Sequence, residues 1–169
     1  MNGNNGKEAI HNKPMHPTEN FMENITFRKS TIHDLPIILE LYTHFETDKT
    51  KKMTLPKAET MYEKMKQYPN YTIYVVEFNN QVIASFTLLI VDNIVHKGTP
   101  SAIIDSVIVD PLYQKKGIGK WMMQKAMDLS VKNGCYKLAL SSNFKWGVHE
   151  FYKSLGFKQH GLSLHVEVQ

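Results

Sequence analysis

Between Ile103 and Met127 the chain reads IIDSVIVDPLYQKKGIGKWMMQKAM, and few folds accommodate such a stretch. Ile103, Ile104, Val107, Ile108 and Val109 form a β-branched run that is too short for a helix and too apolar for a sheet edge, which predicts an internal strand. Asp110-Pro111 stops it. After Gly117, apolar residues recur at Ile118, Met122, Ala126 and Leu129, with Trp121 and Met123 widening the stripe, and this is helical spacing. Two glycines therefore sit where a helix begins. The first amides of a helix lack intrahelical partners and carry partial positive charge, and residues without a Cβ let an anion approach them closely. Lys115, Lys116 and Lys120 add charge at the same place, so the sequence proposes a phosphate cradle.

Two familiar nucleotide loops are excluded. The dinucleotide pattern GxGxxG needs a glycine where this chain has Met122. The NTPase loop needs an earlier glycine and a hydroxyl residue after its lysine, but Trp121 follows Lys120. The pattern that fits is [QR]-x-x-G-x-[GA], here Gln114-Lys115-Lys116-Gly117-Ile118-Gly119, preceded by a strand ending in Val-Asp-Pro. This resembles the acetyl-CoA pyrophosphate loop of the GCN5-related N-acetyltransferase (GNAT) superfamily. An ordinary strand-to-helix turn with solvated lysines gives the same pattern, so a second motif is needed.

The 169 residues, 42% hydrophobic and 21% charged, make one globular domain with enough apolar content for a core. A single cysteine, Cys135, rules out an intrachain disulfide framework. No apolar run approaches membrane-spanning length and no secretory signal is present, so a cytoplasmic protein without a membrane partner is expected. The formal net charge of +4 suits an anionic cofactor. The lysines are dispersed, with no arginine-rich tract or stacking array, so nucleic acid is not the expected partner.

Residues 1–23 are polar, with Pro14 and Pro17, and read as a disordered leader; the domain is expected over 24–169. Ile25 to Lys29 alternates as a strand. Thr31 and Asp34 offer capping oxygens to a helix with its stripe at Leu35, Ile38, Leu39, Tyr42 and Phe45. A polar segment follows, and Pro56 opens a second helical pattern through Met61, Met65 and Tyr68. Tyr71 to Phe78 and Val82 to Val91 are strand patterns joined by Asn79-Asn80, a hairpin turn because Asn tolerates positive φ. Beyond the central helix, Asn133-Gly134 is a stop signal, and Tyr136 to Ser141 is a further strand that a right-handed crossover sets parallel to the Ile103 run. Val148, Phe151, Tyr152 and Leu155 mark a short helix before Gly156. Phe157 to His160 and Leu162 to Val168 are strand-like. The order predicts an α/β (α+β) mixed sheet with helices on both faces.

The second motif lies in SSNFKWGVHEFYKSLGFKQHG, Ser141 to Gly161, where an Asn follows a strand and a short helix ends in FYxxxGF. It is similar to the other hallmark of the superfamily, and the resemblance extends from about Ile25 to the C-terminus. It implies the GNAT fold: a mixed, mostly antiparallel sheet with a splayed parallel central strand pair. It also implies acetyl-CoA lying in the splay, with Val107, Ile108 and Val109 pairing with the pantetheine arm and Gln114 to Lys120 holding the pyrophosphate. Asn143 would bond the arm, although a loop or capping Asn reads the same way. Tyr152 matches the tyrosine that protonates the departing thiolate, a role a neutral phenol suits. As a residue on the apolar face beside Phe151 it is equally a buried core tyrosine.

Amine attack on a thioester needs a proton acceptor. Asp105, a carboxylate inside an apolar strand and on the same face as Val107, is the candidate, with desolvation raising its pKa. A family bulge near this point would alter that parity, and Asp105 could instead satisfy a backbone donor. Oxyanion donors would be strand amides near Val107. The histidines show no HExxH or compact cluster, so no metal is expected; His44, His160 and His165 are within conceivable reach of the acceptor pocket. Cys135 reads as a small buried residue rather than a nucleophile. The expected activity is acetyl transfer to a primary amine of a small molecule. A protein or peptide amine acetyltransferase and a non-catalytic acyl-CoA-binding module are the alternatives, and a homodimer is left open.

Overall fold

The computed structural model describes residues 21–44, 53–142, 147–161, 164 and 166. Along the chain run β1 (Ile25–Lys29), α1 (Leu35–Tyr42), α2 (Leu55–Met65), β2 (Tyr71–Phe78), β3 (Gln81–Val91), β4 (Ser101–Val109), α3 (Ile118–Lys132), β5 (Leu138–Ala139) and α4 (His149–Ser154). The strands form one sheet in sequence order, antiparallel from β1 to β4, with β4 and β5 parallel. Among the described residues the parallel pair lies at the sheet's edge. Asn79 and Asn80 take φ of 50° and 62°, the double left-handed turn that matches strand twist in a two-residue hairpin.

Each face of the sheet carries its own apolar layer. On one side Tyr74, Phe86, Leu88 and Ile104 pack with Met122, Met123 and Ala126 of α3. On the other, Ile73, Val75 and Ile108 pack with Ile38 and Leu41 of α1. The entry to α1 is tied down by charge. Arg28 of β1 forks onto both carboxylate oxygens of Asp34, at 2.7 and 2.9 Å, and onto Glu77 of β2 at 2.7 Å. Asp34 also accepts from the Thr31 amide, closing a capping box. The hydrogen bonds from Arg28 hold this buried carboxyl at about 2, below its ordinary 3.8.

Three expectations are adjusted. Phe21, assigned to the leader, is buried, with its ring 4.4 Å from that of Phe78 and 6.2 Å from that of Tyr113. The packed chain therefore reaches back at least that far, and Met22–Asn24 form a 3-10 turn. The strand expected over Tyr136 to Ser141 pairs only at Leu138–Ala139. Phe157 to His160 form no strand. Leu162 to Val168 lie largely outside the described residues, as does Phe45.

β4 itself is not regular. Ser106 has φ of 51°, and the register with β3 jumps from Ser85 opposite Ile108 to Thr87 opposite Asp105, placing one extra residue in β4. The bulge exchanges faces along the strand. Before it, Ala102 and Ile104 point to the α3 layer; after it, Val107 and Val109 take that side and Ile108 turns to α1. Asp105 and Val107, expected to share a face, are on opposite ones.

Candidate active site

The two edges of β4 differ. Toward β5 the ladder consists of Ala102 opposite Leu138 and Ile103 opposite Ala139, with the Ala102 amide donating to the Lys137 carbonyl at 2.9 Å. Beyond that point the strands part around a cleft of about 420 Å³. Ile104 to Ile108 form one wall, Leu140, Ser141 and Ser142 the other, and Val148 and Tyr152 close the end. Toward β3, the Asp110 amide donates to Ile83 at 2.9 Å. Backbone groups alternate in direction along a strand, so those of Val109, and of Val107 two residues back, face the cleft. The Val109 carbonyl does so visibly, accepting from Gln114 Nε2 at 3.0 Å.

At the mouth of the cleft the chain turns into α3. The Asp110 carboxylate accepts from the Leu112 amide at 2.8 Å and starts a 3-10 turn over Pro111–Tyr113. Lys115 (φ 59°) and Gly117 (φ 86°) are left-handed, and at Gly117 glycine is the residue that tolerates this without strain. The first intrahelical bond of α3 runs from the Trp121 amide to Gly117, so the amides of Ile118, Gly119 and Lys120 precede it, and Gly117 has no side chain to cap them. They are free of intrahelical partners at the helix start, where such amides carry partial positive charge. Ile118 contributes only its amide, because its side chain is 1% exposed in the core. Gly119 has a packing role as well: a Cβ there would lie 3.4 Å from Phe151 Cζ, so α3 and α4 approach closely at that point. Lys115 and Lys120 are exposed, while Lys116 Nζ rests over the rings of Tyr113 and Phe21, at 5.1 and 5.7 Å.

Tyr152 is half-buried: it borders the cleft and also packs edge-on against Phe151 and Phe157. Burial pushes its phenol up, which keeps it protonated at neutral pH. Asp105 lines the cleft but is exposed, contrary to the desolvated setting expected of it. The bulge explains this: with Ser106 turned left-handed, Asp105 faces away from the α3 layer, and its Oδ1 accepts from the Ser106 amide at 2.7 Å. The neighbouring Tyr71 phenol is pushed up, first by burial and then by the Asp105 carboxylate and Tyr42.

Asn143 and His165 lie outside the described residues. His44 lines the cleft and His160 does not. Leu140, Ser141, Ser142 and Val148 are wall residues that sequence reasoning missed as site residues. The serine pair directly after a strand beside the cradle was the available signal. Ser142 Oγ is buried and has no hydrogen-bond partner among the described residues. Cys135 is half-buried, and burial raises its thiol, the opposite of an activated nucleophile.

A parallel strand pair that splays beside a glycine turn, with uncapped helix amides at the mouth, is the architecture of the N-acetyltransferase fold. The chain belongs to the acetyltransferase (GNAT) family, whose model matches residues 38–157, more than two thirds of the sequence. A protein of Agrobacterium tumefaciens str. C58 that carries an acetyltransferase description superposes with a TM-score of 0.78 at 30% identity, covering 85% of this chain and 99% of that one. Glucosamine-6-phosphate N-acetyltransferase from Arabidopsis thaliana shares the fold at TM-score 0.75 and 21% identity, covering 86% of this chain and 99% of its own. By sequence, glucosamine 6-phosphate N-acetyltransferase of Trypanosoma brucei brucei is 31% identical over 88 residues, 52% of this chain and 58% of that protein. A Drosophila melanogaster relative is matched over 45% of its length, so the chain spans about half the length of the curated relatives it matches.

Proposed function

We propose that the protein is an acetyl-CoA-dependent N-acetyltransferase that passes an acetyl group directly to a primary amine of a small molecule. The observation that carries this reading is the outer edge of β4, whose backbone groups face a cleft and whose end leads into the uncapped amides of α3. The residues fit the cofactor: extended main chain for the amides of an arm, an apolar wall for its methylenes, and an electropositive helix start for a diphosphate. Val107 and Val109 would pair with the arm, and the amides of Ile118, Gly119 and Lys120 would hold the diphosphate. Bound acetyl-CoA supplies the activated thioester.

The Val107 amide, on the cleft side of β4, would stabilise charge growing on the thioester oxygen. As the amine nitrogen bonds to the carbonyl carbon and the carbon–sulfur bond breaks, Tyr152 would give its proton to the departing sulfur. Asp105 would take the proton lost by the amine, directly or through water. Its exposure suits the second route. The acceptor class rests on the relatives, since the trypanosomal protein acts on an amino sugar phosphate by its name.

The test is thiol release from acetyl-CoA with amino sugars and their phosphates, polyamines, amino acids and peptides. Release is expected with one of the small amines. Release with peptides alone would assign the protein to peptide acetylation. Binding without release from any amine would make it an acyl-CoA-binding module. Tyr152→Phe separates catalysis from binding: kcat at pH 7 should fall by at least about tenfold while the dissociation constant for coenzyme A stays the same. An unchanged kcat would remove Tyr152 from the mechanism.

A further inference from the structure

The sequence pattern places Gln114 among the residues holding a diphosphate, but its side chain is engaged elsewhere. Its carboxamide reaches back five residues and donates to the Val109 carbonyl at 3.0 Å. Two local features make this possible. The Asp110-capped turn over Pro111–Tyr113 folds the chain back beside the end of β4, and Gln114 leaves that turn extended, at φ −65° and ψ 162°. The Val109 carbonyl needs such a donor because it points to the side where β5 has already left the ladder after Ala139. A backbone acceptor at a strand end is normally paired, and Gln114, which also lines the cleft, supplies the missing N–H.

We propose that the Gln114 side chain is a stand-in for an amide of the cofactor arm, holding the Val109 carbonyl until the arm displaces it. The inference rests on the functional reading above and concerns how that site is filled. The chemical match is close, because a glutamine side chain and the amides of a pantetheine arm are the same functional group, with one N–H donor aimed at one carbonyl. Filling the cleft then exchanges one amide donor for another, and the net gain from that bond is small. The carbonyl is also never left bare when the spent cofactor departs. Gln114 is accordingly a positioning residue that lowers affinity for the arm and eases release, and it is not a ligand of the diphosphate.

The two roles predict opposite results in Gln114→Met, which keeps the length of the side chain and removes its donor. Dissociation constants for S-acetylpantetheine and for adenosine 3′,5′-bisphosphate are measured on the full chain by NMR titration. With the donor gone, S-acetylpantetheine should bind about threefold more tightly, while the bisphosphate should bind as it does to the wild type. Gln114→Asn, whose amide is one methylene too short to reach Val109, should behave like Gln114→Met. Weaker bisphosphate binding in either variant would show that Gln114 grips phosphate and would overturn the proposal, as would unchanged or weaker binding of S-acetylpantetheine. If the wild type bound neither fragment, the functional reading would fall and this inference with it; if it bound both and the variants matched it, this inference alone would fall.

Discussion

β4 has two edges built from the same backbone, and they are used in opposite ways. Toward β3 it is held through seven register pairs, from Ala84 opposite Val109 to Val91 opposite Ser101; toward β5 it is held through two. The first edge is closed and flanked by fully buried side chains such as Phe86 and Ile104. The second opens into the cleft and leaves Val107 and Val109 with polar groups that face it. One side of a single strand is thus built into the sheet and the other is left open to the cleft.

That division can be broken or sharpened by substitution. The largest effect is expected from Phe86→Ala on the closed side. This ring is fully buried and stacks on Tyr74 at 5.2 Å, so its removal should cost about 3–5 kcal/mol, read as a lower denaturant midpoint. Coenzyme A affinity of the folded fraction should not change; a parallel loss of affinity would show that the two edges are coupled. Next comes Gly119→Glu on the open side. A Cβ pressed against Phe151 and a carboxylate among the α3 amides should weaken coenzyme A binding by about a hundredfold or more in calorimetry. Unchanged affinity would move the site elsewhere.

A smaller effect belongs to Asp34, remote from the cleft. Because folding lowers this carboxyl from 3.8 to about 2, it stabilises the fold above the unfolded value, and that contribution is lost as pH falls from 3.8 toward 2. The linked amount is about 2 kcal/mol. Asp34→Asn should remove about this much stability at pH 7, flatten acid unfolding between those values, and leave coenzyme A affinity as it was. A variant as acid-sensitive as the wild type would discount the Arg28 cluster as the source.

The closed edge was more legible in the sequence than the open one, for physical reasons. Near-continuous apolar runs mark Tyr71 to Phe78 and Val82 to Val91 because both faces of those strands are buried, and two adjacent asparagines mark the turn between them. The Gly117 turn was legible because glycine is the residue that adopts its conformation freely. The bulge at Ser106 had no such marker. A left-handed serine is chosen by the surrounding sheet and not by its own chemistry, so residue parity put Asp105 on the wrong face and only the family resemblance pointed to a bulge there. The length of β5 was overread, since YKLALS keeps its alternation past Ala139 although the backbones have separated. Phe21 escaped because one aromatic residue in a polar tract carries no period.

Phe21 also matters for how the protein is produced. Its ring sits under the Lys116 ammonium, and the Met22 sulfur lies 3.9 Å from where a Cβ on Gly117 would be, so the cradle is braced by the start of the described chain. A recombinant version initiated at Met22 would keep every residue matched by the family model yet lose half of the aromatic seat for that lysine. Truncation at this methionine trims the floor beneath the turn into α3.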